Sequence, residues 1–211
     1  PTALAAGTYN VGVGQTYRNL TTAVADVNQR GISGPITLDL VDAVVDTTAA
    51  GGNTMFPILF GPVVGTSSTN TITVSRTGSP ATIRWSGNAT GSTGGGMIGG
   101  TTTAFNTSNV EPIIGLVGTD YLTLNNVDLR GNVGFQNADH AIGVYNNSAT
   151  DGSTNNTFSN FSVIMRRANT GTRGVVQNVP VAPSAATGAN SNNTFRDFSI
   201  TNVYAGMQFT G

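Results

Sequence analysis

Two sets of aspartates are the first places to look for chemistry. Asp39, Asp42 and Asp46 lie close together, and Asp120, Asp128 and Asp139 fall in a second stretch. Carboxylates brought together on one sheet face hold a divalent cation or share acid and base work. The first set matches only partly the even spacing that puts residues on one face of a strand. Solvated aspartates at turns are therefore the expectation for both sets. His140 is the only histidine and follows Asp139, so an Asp–His couple acting as a general base is the next candidate. No Gly-x-Ser-x-Gly elbow supplies a nucleophile for it, and a structural histidine at a strand start is expected. Arg166-Arg167, with Arg130 one repeat earlier, would grip an acidic glycan if they shared an edge. For these too a solvated loop is the plainer reading.

Composition narrows the field further. Charged residues make up 9% of the 211, the net charge is −1, and every basic side chain is arginine. No basic patch exists to neutralise phosphates, so a nucleic-acid partner is not expected. Cysteine is absent, which removes disulfides and thiolate metal sites, and with a single histidine no zinc site is expected. No cofactor or metal is expected. No apolar run approaches the roughly 18 residues of a membrane span. Thr, Ser and Asn dominate the polar positions, and threonine suits an exposed pleated surface. Seven Asn-x-Ser/Thr sequons occur, a number that such a composition produces by chance. Asp46-Thr47-Thr48 resembles a short O-glycan acceptor motif.

The elements that must position these residues begin with a helix. Tyr17, Leu20, Val24 and Val27 recur at helical spacing, so a capping helix is expected over 16–31, with Thr16 as N-cap and Gly31 as stop. Pro35-Ile36-Thr37-Leu38-Asp39-Leu40-Val41 alternates as a strand. Shorter strands are expected at Asn70–Ser75 and Thr82–Trp85. Ser86 to Asn109, with its Gly91–Gly96 run, reads as a surface excursion.

An internal repeat organises the rest. Leu124-Asn125-Asn126-Val127-Asp128-Leu129 recurs as Phe158-Ser159-Asn160-Phe161-Ser162-Val163 and as Phe195-Arg196-Asp197-Phe198-Ser199-Ile200, at offsets of 34 and 37. Between these lie Gly115-Leu116, Gly143-Val144, Gly174-Val175 and Gly206-Met207, at steps of 28, 31 and 32. The step of three from Phe158 to Phe161 breaks the two-residue strand period, so the chain must bend there. Asn126, Asn160 and Asp197 occupy the bend, as residues that tolerate the left-handed region. Stacking would make them a side-chain ladder. Thr123, Thr157 and Thr194 form a second column. The expectation is an all-β chain: one right-handed parallel β-helix over 1–211, with one N-terminal capping helix and rungs over 35–211.

The capping segment Tyr17-Arg18-Asn19-Leu20-Thr21-Thr22-Ala23-Val24 and these rungs resemble the pectin-lyase-like superfamily. A narrower resemblance is to β-helical regions of Bacteroidota surface proteins. It lies in Gly7-Thr8-Tyr9, Tyr17, Ala23-Val24, Asn28, Gly31 and Gly34-Pro35-Ile36-Thr37-Leu38. That resemblance implies a bacterial protein exported by the type IX system, secreted or held at the cell surface. The expected role is a non-enzymatic segment of an adhesin, stalk or filament. The rivals are the N-terminal part of a polysaccharide lyase or glycoside hydrolase with its catalytic rungs outside this segment, and a glycan-binding module, for which Trp85, Tyr145 and Tyr204 offer little of the aromatic groove expected. Expected partners are surface glycans, or another copy or chain at an uncapped C-terminal end, with the rungs continuing beyond 211.

Overall fold

The computed structural model describes residues 1–46, 57–85, 112–131, 138–168 and 170–210. The expected excursion over 86–109, together with Thr47 and Thr48 of the O-glycan motif, lies outside them.

In chain order the elements are β1 (Gly7–Val11), α1 (Leu20–Arg30), β2 (Ile36–Leu40), β3 (Val44–Asp46), β4 (Ile58–Phe60), β5 (Ile72–Ser75) and β6 (Ala81–Arg84). There follow β7 (Pro112–Val117), β8 (Leu122–Arg130), β9 (His140–Tyr145), β10 (Thr157–Ile164), β11 (Arg173–Asn178), β12 (Thr194–Thr201) and β13 (Ala205–Phe209). Among the described residues the fold is thus mostly β with one α-helix.

The strands form two sheets whose pairings are all parallel. The larger runs β1-β2-β5-β8-β10-β12, with β3 and β6 continuing beside the second half of β8. The smaller runs β4-β7-β9-β11-β13. In both sheets spatial order follows chain order, and from β7 onward the chain visits the two sheets alternately. Inward side chains of both sheets meet in one apolar core that reaches from Leu4 to Val175 and includes Leu124, Val127, Ile142, Phe158 and Phe161.

The helix begins three residues later than its apolar spacing suggests. Asn19, not Thr16, is the N-cap, and its side chain accepts from the Thr22 N–H at 2.9 Å. Tyr17 is diverted into a parallel bridge with Val11, so the chain is still extended there. Leu20, Ala23, Val24 and Val27 are buried as the spacing requires. Gly31 ends the helix at φ 69°, and a Cβ there would lie 2.4 Å from the Val64 carbonyl oxygen. Only glycine fits.

The first half of the repeat pairs at the expected offsets. Leu124, Phe158 and Phe195 are in register, as are Val127, Phe161 and Phe198. Phe158 stacks on Phe195 at 4.7 Å and Phe161 on Phe198 at 5.0 Å. The second half differs from its sequence alignment. Gly115 does face Gly143, but Gly143 faces Val176, and Ile142 faces Val175. The step between β9 and β11 is therefore 33 residues, not 31. A slip of two leaves every side chain on the same face, so Val175 stays inward and packs beside Ile142.

Candidate functional site

The bend column comes first, because its conformation is its chemistry. Asn126, Asn160 and Asp197 have φ of 58°, 49° and 53°, all left-handed. Their side chains do not bond to one another. Asn126 Nδ2 donates to the carbonyls of Arg76 and Gly78 at 2.6 and 2.8 Å, while Asn160 Nδ2 donates to Asn125 Oδ1 at 2.8 Å. Asp197 takes Arg196 at 3.0 Å. The bend puts each side chain beside flanking loop or strand atoms, which are nearer than the next bend.

A second left-handed column stands five residues upstream: Tyr121, Asn155 and Asn192, at φ 56°, 58° and 56°. Around this corner the polar side chains interlock between successive repeats. The Leu122 N–H donates to Asn156 Oδ1 at 2.8 Å, and the Asn156 N–H donates to Asn193 Oδ1 at 3.0 Å. Three residues earlier, the Thr119 N–H donates to Ser153 Oγ at 3.0 Å and the Ser153 N–H to Asn190 Oδ1 at 2.8 Å. Each repeat thus satisfies the backbone of the one before it. Asn156 and Ser153 are fully buried, where an unpaired N–H would be costly. The sequence reading missed these residues. Their signal was Ser153-x-x-Asn156 matching Asn190-x-x-Asn193, obscured by Thr119-x-x-Leu122.

The threonine column is longer than the repeat suggested. Thr123, Thr157 and Thr194 are in register with Thr73, Thr37 and Thr8, so six neighbouring strands carry threonine at one outward position. Parallel strands repeat every 4.7–4.9 Å or so, which sets the spacing of the column. Among the described residues none of the six hydroxyls is engaged, whereas Asp39, Asn125 and Ser159 in the next outward column are hydrogen-bonded.

The candidate carboxylates are dispersed. Asp39 accepts from the Thr77 N–H at 3.1 Å and Asp42 from the Val13 N–H at 2.9 Å. Asp120 accepts from both Thr154 N and Oγ1, at 2.8 and 2.6 Å, and Asp128 pairs with Arg130 at 3.2 Å and with Ser162. Among the described residues no group of three His, Asp or Glu is placed to hold a metal ion. Arg130 stands in register with Arg84 rather than with the pair Arg166-Arg167, which follows β10. Trp85 and Tyr145 are buried, and Tyr204 is exposed.

His140 and Asp139 are buried but do not form a couple. His140 Nδ1 lies 2.9 Å from Tyr145 Oη instead. The phenol folds back along β9 over Gly143, where a Cβ would fall 2.3 Å from Oη. Burial, assisted by the Arg173 charge, lowers His140 to about 3, and burial raises Tyr145 above its ordinary range. Burial also pushes Asp139 up to about 6 against the pull of Arg173. Among the described residues Asp139 Oδ2 has no hydrogen-bond partner. Arg173 is committed to Gln208 at 2.6 Å and to the carbonyls of Gly171 and Thr170. An imidazole that strongly resists protonation is a weak base, and its bond to Tyr145 closes within β9.

No family model matches the chain, and comparison with curated proteins and with solved structures finds no match. The class that fold and site define is a mostly β chain of two parallel sheets. Its polar side chains tie one repeat to the next.

Proposed function

We propose that the chain is a right-handed parallel β-helix serving as a non-enzymatic structural segment of a secreted or cell-surface protein, in an adhesin, stalk or filament. One observation carries this reading: the side chains that could do chemistry are spent on cohesion between rungs. Asn156, Asn193, Ser153, Asp120 and Asp128 each bridge neighbouring repeats. Parallel pairing in chain order within both sheets supports a coil whose rungs stack in sequence. The resemblance to type IX-exported Bacteroidota proteins supports a place outside a bacterial cell. Surface glycans are the partners proposed for the outer face, whose six free threonine hydroxyls favour a binding role.

A second reading, distinct from an enzyme whose catalytic rungs lie outside this segment, draws on Arg84 beside Arg130, with Asp128, which also bonds Ser162, on the outward side of the sheet. Incubation with pectate and alginate, with and without calcium, separates the two. The structural reading expects no unsaturated sugars under either condition. Calcium-dependent release that Asp128→Ala abolishes would replace it with the lyase reading.

A further inference from the structure

Among the described residues β12 pairs only with β10 and β13 only with β11, so each has one open edge. That edge carries specific unmet demands. The backbone N–H groups of Thr119 and Ser153 are each received by a side chain of the following repeat, and so are those of Leu122 and Asn156. Asn190 and Asn193 stand next in these two series. Among the described residues their own backbone N–H groups find no acceptor. Phe198 stacks on Phe161 through one face and is 39% exposed, and Phe209 is 53% exposed.

We propose that this edge docks a polypeptide rung of the type Ser/Thr/Asn-x-x-Asn-Thr-aromatic, laid parallel to β12. The acceptors three residues apart receive the N–H groups of Asn190 and Asn193. The threonine extends the outer column, and the aromatic ring stacks on Phe195 as Phe195 stacks on Phe158. A second copy of this chain does not meet the same demands. Of its other edge strands among the described residues, β1, β3 and β4, only β1 carries the threonine column, at Thr8. Gly7 then stands where Asn156 and Asn193 stand, and Leu4 lies three residues before it. Neither side chain accepts a hydrogen bond.

This inference rests on reading the strands as stacked rungs, and its test is independent of any assay for turnover. The probe is a blocked synthetic peptide copying residues 188–202, which contains Asn190-x-x-Asn193-Thr194-Phe195. It is titrated against the 211-residue chain while amide exchange is followed. The expected result is saturable binding that slows exchange at Asn190 and Asn193 at least ten-fold. A peptide carrying both Asn190→Ala and Asn193→Ala should bind at least ten-fold more weakly. Absence of binding, equal binding of the two peptides, or protection at β1 alone would overturn the proposal. So would self-association of the chain that the peptide does not compete away, since it would make a second copy the occupant.

Discussion

Asn193 Oδ1 lies 3.0 Å from both the backbone nitrogen and the side-chain nitrogen of Asn156, two residues 37 positions apart in the chain. Asn156 in turn receives the Leu122 N–H and donates to the Thr119 carbonyl at 2.8 Å. One buried amide therefore serves three repeats.

Replacing Asn156 with Ala should cost about 2–4 kcal/mol, because the buried Leu122 N–H and Thr119 carbonyl both lose their partner. Urea denaturation measures it. A loss below about 1 kcal/mol would mean that the corner takes up water without penalty.

Asn160→Val should cost about 1–3 kcal/mol, since a β-branched residue resists a φ of 49°. Asn160→Gly relieves the backbone and loses only the bond to Asn125, so it should be the milder change. Ser162 faces outward but bonds Asp128, so Ser162→Val should also destabilise. Equal midpoints for Asn160→Val and Asn160→Gly would remove the left-handed bend from the explanation.

Acidification should act on two neighbours with opposite sign. His140 is lowered from 6.5 to about 3, so its contribution is full above 6.5 and is lost as pH falls toward 3. Asp139 is raised from 3.8 to about 6, so its contribution is full below 3.8 and is lost as pH rises through 6. Between about 6 and 4 the two slopes oppose each other. Asp139→Asn should therefore make stability fall on acidification, by up to roughly 1 kcal/mol per pH unit. His140→Gln should make it rise over the same window. Stability curves at several pH values check this, and slopes of the same sign in both variants would refute it.

Gly143→Ala should destabilise by about 2–3 kcal/mol, because its methyl group takes the space of the Tyr145 hydroxyl and separates it from His140. In a double-mutant cycle with Tyr145→Ala the two losses should be far from additive. Additive losses would place the Gly143 effect elsewhere.

Much of the fold was legible because its signals are local. The bend at Asn160 is written in a break of the two-residue period, and the helix in the spacing of Leu20, Val24 and Val27. The helix start was misplaced because the capacity of Tyr17 to bridge Val11 is a long-range property. The slip between β9 and β11 was hidden because a shift of two residues leaves the same side chains inward, Val175 meeting Ile142 in place of Val144. The corner amides were hardest to see. Tyr121 and Leu122 occupy the positions that Asn155 and Asn156 fill one repeat later, and a donor backbone needs no particular side chain.

The corner interlock also has a direction. Four backbone N–H groups of the corner are satisfied by side chains that come later in the chain, as Leu122 waits for Asn156 and Asn156 for Asn193, while the Thr154 N–H alone turns back to the earlier Asp120. A chain emerging from a ribosome or a translocation pore with its N-terminus first would fasten each repeat only on arrival of the next. The growing end would always trail one unlatched repeat. Assembly would proceed as a ratchet, with a lag of about 35 residues between making a repeat and closing it.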